Sequence, residues 1–343
     1  MAGGGTPVSM NNESVTGLFL DHTARVPVDR PFTRAEALHE GVTDRDLALW
    51  CDRGDLVPPI RGVYHAAQLP DGPELRIACL KLVVPDDAVI TDRTAGWLHG
   101  ASMVLAPNDH LVVPRVSMFR PPGYRLRNEL AASGERTFAA GEVVDLDGLR
   151  VTSKLRTTCD LGMMRGRDQA FAAMGAMMRI AGGEFDLEDL VGQGTRFRGY
   201  RRVRQFRDLA PRVDPRPQSP CEHILLLRWT DCSTLPLPTP QLPVQGPEGL
   251  FYLDLGVEGL RYAAEYDGAR WHGPEQQQHD RDRRAWLADH DAWWFDVFVD
   301  HHLFGPAQCV EARLHEGVAE AKRRMGRRAW RGQDRGPDRP RFL

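Results

Sequence analysis

The sequence predicts a multi-domain α/β protein, and three observations support this prediction. The chain has 343 residues, whereas one ordinary domain has about 100 to 200. Segments with a helical period alternate with short strand-like segments along the chain. A basic segment that contains several prolines divides the chain near Asp214. We therefore expect several hydrophobic cores rather than one.

The composition predicts a cytoplasmic protein that does not enter a membrane. Hydrophobic residues make up 42% and charged residues 27% of the chain, which is close to the average for globular proteins. No apolar run approaches the roughly 20 residues of a bilayer span, and the N-terminus lacks the basic and apolar regions of a secretory signal. The six cysteines form no C-x-x-C pair, which argues against a zinc knuckle and a disulfide framework.

A winged-helix DNA-binding domain is predicted at residues 31–73, after a polar, poorly ordered arm at residues 1–30. Thr33 and Thr43 can each cap a short helix, and a glycine follows each of the two helices. The next segment, LVPPIRGVYHAA, has the alternation and the turn residues of a β-hairpin. Helix, turn, helix and hairpin wing is a DNA-binding arrangement, because it presents the second helix to the major groove.

Two sets of side chains have predicted roles in this domain. Apolar residues of the two helices are expected to form a small shared core: Ala35, Leu38, Leu47, Leu49 and Trp50. Basic residues of the second helix and the wing are expected to contact DNA phosphates or bases: Arg45, Arg53 and Arg61.

Three motifs carry a resemblance to a known family: FTRAEALHEGVTDRDLALWCDRGDLVPPIRGVYHAA, VITDRTAGWLHGA and LRVTSKLRTTCDLG. They resemble the N-terminal part of AbiEi-family antitoxins, which are transcriptional autorepressors of type IV toxin–antitoxin operons. The resemblance covers roughly the first 200 residues and implies toxin-operon promoter DNA as a partner. Residues 74–195 are predicted to form an α+β middle domain, in which the Met- and Ala-rich segment DQAFAAMGAMMRIAGG is a core helix.

Two basic segments flank the last predicted domain. From Arg196 to Arg216 there are eight arginines and two aspartates, which predicts an amphipathic helix and then a linker at residues 196–216. Phosphate contact and a merely solvated helix face are equally open interpretations of these arginines. Residues 313–343 are predicted to be a basic tail that is disordered beyond a short helical start.

Residues 217–312 predict a domain with the order helix, three strands, helix, strand. Ser219 can cap the helix SPCEHILLLRW, and Glu222 lies in its first turn. Three strand-like segments follow: LPVQ, LFYLDLGV and LRYAAEYDG. The charged helix PEQQQHDRDRRAWLADH and the apolar strand AWWFDVFVD complete the domain. This is the core order of a restriction-endonuclease-like fold.

Acidic side chains of this domain are predicted to converge. A hairpin brings Asp254 and Glu265 into register, and the two-residue period of a strand places Glu265 and Asp267 on one face. Such a cluster requires a cation, and hard oxygen ligands favour Mg²⁺ or Mn²⁺. His272 follows in the next loop, and its imidazole suits general acid–base chemistry. The pattern predicts a site for metal-dependent phosphodiester hydrolysis.

Four separated pieces of the domain resemble PD-(D/E)XK nucleases, and more closely the branch that contains the very short patch repair endonucleases. They lie within about residues 215–305 and are the helical Glu222, YLDL, AEYDGARWH and DRDRRAWL. The resemblance implies a metal ligand at Asp254, a second acid at Glu265 and a catalytic histidine at His272. It also implies that Glu222 is a supporting acid. Asp282 and Arg283 match a helix motif beside the site.

One position departs from the nuclease pattern. The familiar E-x-K reads E-x-D here, with Asp267 at the lysine position, and the repair branch also lacks this lysine. His272 or Arg283 would then supply the positive charge. Three functions stay open. The first is a Mg²⁺-dependent DNA endonuclease, and the second is an AbiEi-like repressor or antitoxin whose nuclease-like domain is inert. The third is action on RNA.

Overall fold

The computed structural model describes residues 20, 23–101, 114–121, 131–247, 249–268 and 274–333. Within these ranges the chain forms helices and both antiparallel and mixed sheets, in two compact units. The multi-domain α/β class therefore agrees with the prediction. The first unit comprises the described parts of residues 1–90, 109–137 and 145–150, and the second comprises the remainder.

The first unit begins with two capped helices and a three-stranded sheet. Its elements are β1 (Phe32–Thr33), α1 (Arg34–His39), α2 (Asp44–Asp52), β2 (Leu56–Ile60), β3 (Val63–Ala66), α3 (Pro73–Lys81), β4 (Val89–Ile90), β5 (Val116–Arg120) and β6 (Ala131–Glu135). The Thr33 hydroxyl accepts a hydrogen bond from the Glu36 amide, and Thr43 forms a capping box with Asp46. Both predicted caps are confirmed. The first sheet has the order β1-β3-β2 and is antiparallel.

The core of these first helices differs from the predicted one. Leu47 is buried and Trp50 packs against the core, as expected, but Leu38 and Leu49 are 38% and 44% exposed. Buried core positions are taken instead by Val26, Phe32, Ala37, Val42 and Leu56. Each helix has about two turns, so the apolar residues alone do not define which face is inside. Val26 also shows that the end of the predicted arm packs into this core.

The second unit is built on a helical layer and a four-stranded sheet. Its elements are α4 (Asp92–Leu98), β7 (Val143–Leu146), β8 (Leu149–Thr152), α5 (Lys154–Gly162), α6 (Arg167–Ala181), α7 (Leu187–Arg196), α8 (Val203–Leu209), α9 (Pro220–Asp231), β9 (Thr239–Gln245), β10 (Leu250–Val257), β11 (Tyr262–Tyr266), α10 (Pro274–His290), β12 (Trp294–Phe298), α11 (Asp300–Leu303) and α12 (Val310–Gln333). Residues 145–150, which belong to the first unit, comprise the end of β7, the turn after it and the start of β8. From α9 onward the elements follow the predicted order of helix, three strands, helix and strand.

One hydrophobic core joins segments that the sequence assigned to separate domains. It contains Phe171 and Met174 of α6, Phe206 of α8, Leu225 of α9 and Leu314 of α12. The predicted linker at residues 196–216 is therefore part of a packed layer. Arginines dominate the composition of this segment, although it also contains buried apolar residues: Phe197, Val203, Phe206, Leu209, Ala210 and Val213.

The predicted basic tail at residues 313–343 is also corrected in its described part. Helix α12 extends to Gln333, and its first half buries Val310, Leu314, Val318 and Ala321. These residues lie on one helix face, which packs against the core of the second unit. The many arginines after Ala321 hide this apolar stripe in the overall composition.

Candidate functional site

The four-stranded sheet of the second unit places three polar side chains in one row. Its order is β12-β11-β10-β9, with β9, β10 and β11 antiparallel and β12 parallel to β11. Leu255 pairs with both Ala264 and Pro240, so the adjoining row contains Gln241, Asp254 and Glu265. Directly opposed residues of antiparallel strands project from the same face. The ladder of β10 and β11 ends at Leu255 and Ala264, and Asp254 and Glu265 are the next residues beyond that pair.

A cleft of about 450 Å³ lies over this row. The predicted acids Glu222, Asp254, Glu265 and Asp267 all line it, together with Arg283. Further lining side chains include Gln218, Gln241, Tyr252, Tyr266, His279, Asp280 and Arg284. His272 lies outside the described residues, so its predicted role stays a prediction. We call this space the acidic cleft.

Glu222 is fixed in the acidic cleft by the start of α9 and by strand β9. The hydroxyl of Ser219 accepts a hydrogen bond from the Glu222 backbone N–H, as predicted for a helix cap. Glu222 Oε2 accepts hydrogen bonds from the Gln218 backbone N–H at 2.8 Å and from Gln241 Nε2 at 3.0 Å. Gln241 has a φ of 49°, which is uncommon for a residue other than glycine. The sequence interpretation missed Gln241, because its place beside Asp254 emerges only from the register of β9.

Asp254 lies beside two other carboxylates. Its Oδ2 accepts a hydrogen bond from the Tyr266 backbone N–H at 2.8 Å. Burial, followed by the charges of Glu222 and Glu265, raises the pKa of Asp254 well above its ordinary value. The Tyr266 hydrogen bond and the charge of Arg283 oppose this shift without cancelling it. A cation at this position would favour the ionised carboxylate.

Glu265 is buried between two consecutive arginines of α10. Arg283 Nη2 donates to Glu265 Oε1 at 2.9 Å, and Arg284 Nη1 donates to Oε2 at 3.2 Å. Burial raises the pKa of Glu265 above its ordinary value, and both guanidinium charges oppose that shift. Arg283 Nη1 also donates to the Tyr252 carbonyl at 2.9 Å. The predicted Arg283 therefore brings positive charge to the second acid, and Arg284, which the sequence interpretation missed, does the same.

The donor set has the chemistry of a hard-cation site without forming a complete one. Carboxylate and amide oxygens are the ligand types that suit Mg²⁺ and Mn²⁺. Throughout the described ranges, no group of three or more His, Cys, Asp or Glu side chains is arranged to hold a metal ion. Asp254, Glu265 and Asp267 share the cleft, but Glu265 is occupied by the two arginines. An ion would rest on one or two carboxylates and on water, as Mg²⁺ often does.

The other predicted site residues lie at defined positions. Arg45 is exposed on α2, Arg53 is exposed at its C-terminal end, and Arg61 lies half-buried in the turn between β2 and β3. Asp282 is exposed on α10 and accepts a hydrogen bond from Gln278 Nε2 at 2.8 Å. It does not line the acidic cleft.

Comparisons with known proteins identify no family for this chain. No family model matches it, and no curated protein matches it. The crystal structure of the RV2827C protein from Mycobacterium tuberculosis is similar over 65% of this chain and 85% of that chain, with 16% sequence identity and a TM-score of 0.27. A TM-score this low carries no argument about fold or function. In the part of the chain that the structure describes, no helix is both long and apolar enough to cross a membrane.

Proposed function

We propose that this protein is a divalent-metal-dependent endonuclease of the PD-(D/E)XK type, which hydrolyses phosphodiester bonds in DNA. The observation that carries the proposal is the row of Gln241, Asp254 and Glu265, with Glu222 and Asp267 in the same cleft. The meander β9 to β11, followed by α10 and the parallel strand β12, supports it, since this is the element order of that nuclease fold.

Each side chain of the acidic cleft has a proposed role. Asp254 is the main proposed ligand for Mg²⁺ or Mn²⁺, with Glu265 or Asp267 as the second carboxylate, and the bound ion would supply charge stabilisation and an activated water. Glu222, through its hydrogen bond with Gln241, holds β9 against α9 and positions the row. His272 is the proposed general acid or base.

We propose that Arg283 and Arg284 supply the positive charge that the lysine of the E-x-K motif supplies in other PD-(D/E)XK nucleases. Both guanidinium groups donate to Glu265, and guanidinium groups bind phosphate oxygens with similar geometry. A DNA phosphate that enters the acidic cleft competes for these donors. We propose that exchange of one guanidinium from Glu265 to the phosphate frees a carboxylate oxygen for the metal ion.

The first unit is proposed to bind DNA as a winged helix. Support comes from helices α1 and α2 beside the antiparallel sheet β1-β3-β2, in the order expected of such a domain. Arg45 and Arg53 are exposed and available for phosphate contact. Arg61 belongs to the proposed wing.

A second candidate function is an AbiEi-like repressor or antitoxin with an inert nuclease-like domain. The specific observation in its favour is that both oxygens of Glu265 accept hydrogen bonds from arginines, while Asp267 stands at the usual lysine position. This candidate predicts DNA binding without cleavage.

Incubation of the purified protein with supercoiled plasmid and Mg²⁺ or Mn²⁺ separates the two candidates. We expect nicked or linear plasmid with the wild type, none with Asp254→Asn, and a rate lower by about 100-fold or more with His272→Ala. Asp282→Asn is the matched control, because Asp282 is exposed and lies outside the acidic cleft. If wild-type protein leaves plasmids of varied sequence intact with both metals, the endonuclease proposal is wrong.

A further inference from the structure

A second cleft of about 700 Å³ lies along β12, the edge strand of the four-stranded sheet in the second unit. Its walls come from α10 and α12, which lie beside this strand. The side chains that matter to its chemistry are Arg284, Trp293, Trp294, Phe295, Arg324 and Arg327. We call it the arginine–tryptophan cleft.

The rim of this cleft carries excess positive charge. Arg324 and Arg327 are both exposed, and each donates to Glu320, at 2.9 and 3.0 Å. Arg323 donates to the same carboxylate at 2.9 Å. Three guanidinium groups therefore share one negative charge on α12. Asp289 is the acidic side chain of the cleft lining, so positive charge still exceeds negative charge.

The floor of the cleft is aromatic. The Arg324 guanidinium lies 3.9 Å from the centre of the Trp294 ring, and the rings of Trp293 and Phe295 are 6.4 Å apart. The Trp294 indole N–H is buried and has no acceptor among the described residues. Aromatic faces next to guanidinium groups form platforms on which unpaired nucleic-acid bases stack, while the cations bind the phosphates.

Arg284 connects the two clefts. It donates to Glu265 in the acidic cleft and also lines the arginine–tryptophan cleft. Val297 of β12 lines the second cleft and pairs with Glu265 of β11. Trp294 lies on the opposite face of β12 from Val297, so a nucleic-acid strand bound at Glu265 must pass Arg284 and then round the edge of β12 to reach Trp294.

We propose that the arginine–tryptophan cleft binds a single-stranded DNA segment continuous with the strand that is cut. On binding, Arg324 leaves the face of Trp294 that it covers in the free protein, a base stacks on that face, and phosphates contact Arg324 and Arg327. The inference rests on the proposed function for the continuity of this strand with the acidic cleft. It specifies the substrate class as DNA with an unpaired segment beside the cleavage position, such as a flap or an overhang.

Fluorescence anisotropy with a labelled single-stranded DNA oligonucleotide of mixed sequence, in EDTA, tests the cleft without cleavage. For Arg324→Gln/Arg327→Gln we expect binding to weaken by about tenfold. The slope of log affinity against log salt should fall by about 1.4, or roughly 0.7 for each lost phosphate contact. Arg323→Gln is the matched control, since Arg323 shares Glu320 but does not line the cleft. It should bind like the wild type.

The outcomes separate this inference from the proposed function. Equal binding by the wild type and the double variant, or tighter binding of RNA than of DNA of the same sequence, overturns the inference. If the plasmid stays intact while oligonucleotide binding depends on Arg324 and Arg327, the endonuclease proposal is wrong and the DNA-binding cleft stands.

Discussion

Glu265 is buried between Arg283 and Arg284, and this arrangement determines how the acidic cleft can bind a metal ion. A buried carboxylate is costly unless it is paired, and the two arginines provide that pairing in the free protein. A metal ion at Glu265 therefore competes with these guanidinium groups for the same two oxygens. DNA phosphates offer an alternative acceptor, so metal binding and DNA binding should reinforce each other.

A second buried ionic network stabilises the helical layer of the second unit. Arg156 is 2% exposed, and it donates to Glu142 at 2.9 Å and to Asp160 at 3.1 Å. Arg196 donates to the other oxygen of Glu142. Burial raises the pKa of Glu142, but the Ala139 amide, Arg196 and Arg156 together outweigh it, so the net pKa is lowered.

Glu142→Gln tests this network. Because the folded-state pKa of Glu142 is lowered, its ionisation stabilises the fold above the ordinary carboxyl pKa, and this stabilisation is lost as the pH falls through the lowered value. We expect the free energy of unfolding to fall by about 3 kcal/mol at neutral pH. The difference from wild type should shrink below about pH 4 in denaturant titrations. Glu184→Gln is an exposed control, and a difference independent of pH would contradict the argument.

At the scale of elements, helices α6 and α9 approach closely where Gly175 meets His223. A Cβ atom at Gly175 would overlap the His223 imidazole. The imidazole is buried, and its Nδ1 lies 2.9 Å from the Ser219 carbonyl oxygen. Burial lowers the pKa of His223, so the ring is favoured in its neutral form. This contact sets the position of α9, on which Glu222 lies.

Gly175→Ala should therefore destabilise the protein. We expect the free energy of unfolding, measured in urea, to fall by about 1–3 kcal/mol, because an added methyl group overpacks the contact. Gly192→Ala in α7 is the matched control, since nothing lies within 4 Å of its added Cβ, and it should be neutral or stabilising by about 0.5–1 kcal/mol. Equal changes in the free energy of unfolding for the two substitutions would contradict this prediction.

Helix α2 and the β2–β3 turn carry the DNA-binding prediction of the first unit. Replacing Arg45, Arg53 and Arg61 by Glu should weaken duplex binding and lower its salt dependence, because phosphate contacts are lost. Gel-shift titrations at several salt concentrations would measure both. Arg34→Glu is the comparison, because Arg34 already pairs with Asp44 through two hydrogen bonds. Unchanged binding after all three replacements would rule out this surface.

Local signals were sufficient to predict several of these elements from the sequence. Helix α10 covers the predicted segment PEQQQHDRDRRAWLADH, and Ser219 caps α9 as expected. Strand periodicity also predicted that Asp254 and Glu265 converge, and both line the acidic cleft. It did not predict Gln241, since a glutamine in a proline-containing strand carries no chemical signature. Its role depends on which residue β10 places beside it.

At the scale of the molecule, the largest difference from expectation is the extent of the second unit. Phe171 of α6 and Leu225 of α9 belong to one core, although a basic segment separates them in the chain. Composition marks such a segment as a linker, but burial depends on contacts between distant residues. For the same reason the composition of α12 predicted a tail, although Leu314 and Val318 are buried within this mostly charged helix.

Helix α12 should therefore contribute to global stability through its first half alone. Leu314→Ala is expected to lower the free energy of unfolding by about 2–5 kcal/mol, because Leu314 is fully buried. Met325→Ala is the control from the same helix, and it should change stability by less than about 0.5 kcal/mol, since Met325 is 38% exposed. Thermal or urea unfolding measures both. Similar small effects would show that α12 is dispensable for the fold.

The central claim is that the acidic cleft binds a divalent metal ion through Asp254. Calorimetric titration of Mn²⁺ into the wild type and Asp254→Asn, each in the presence of uncleavable DNA, tests it most directly. We predict one class of Mn²⁺ site in the wild type and none in the variant. The variant should still fold, because burial disfavours the ionised form of the Asp254 carboxyl and a neutral amide replaces it. Equal Mn²⁺ binding by both proteins, or no binding by either, would contradict the claim.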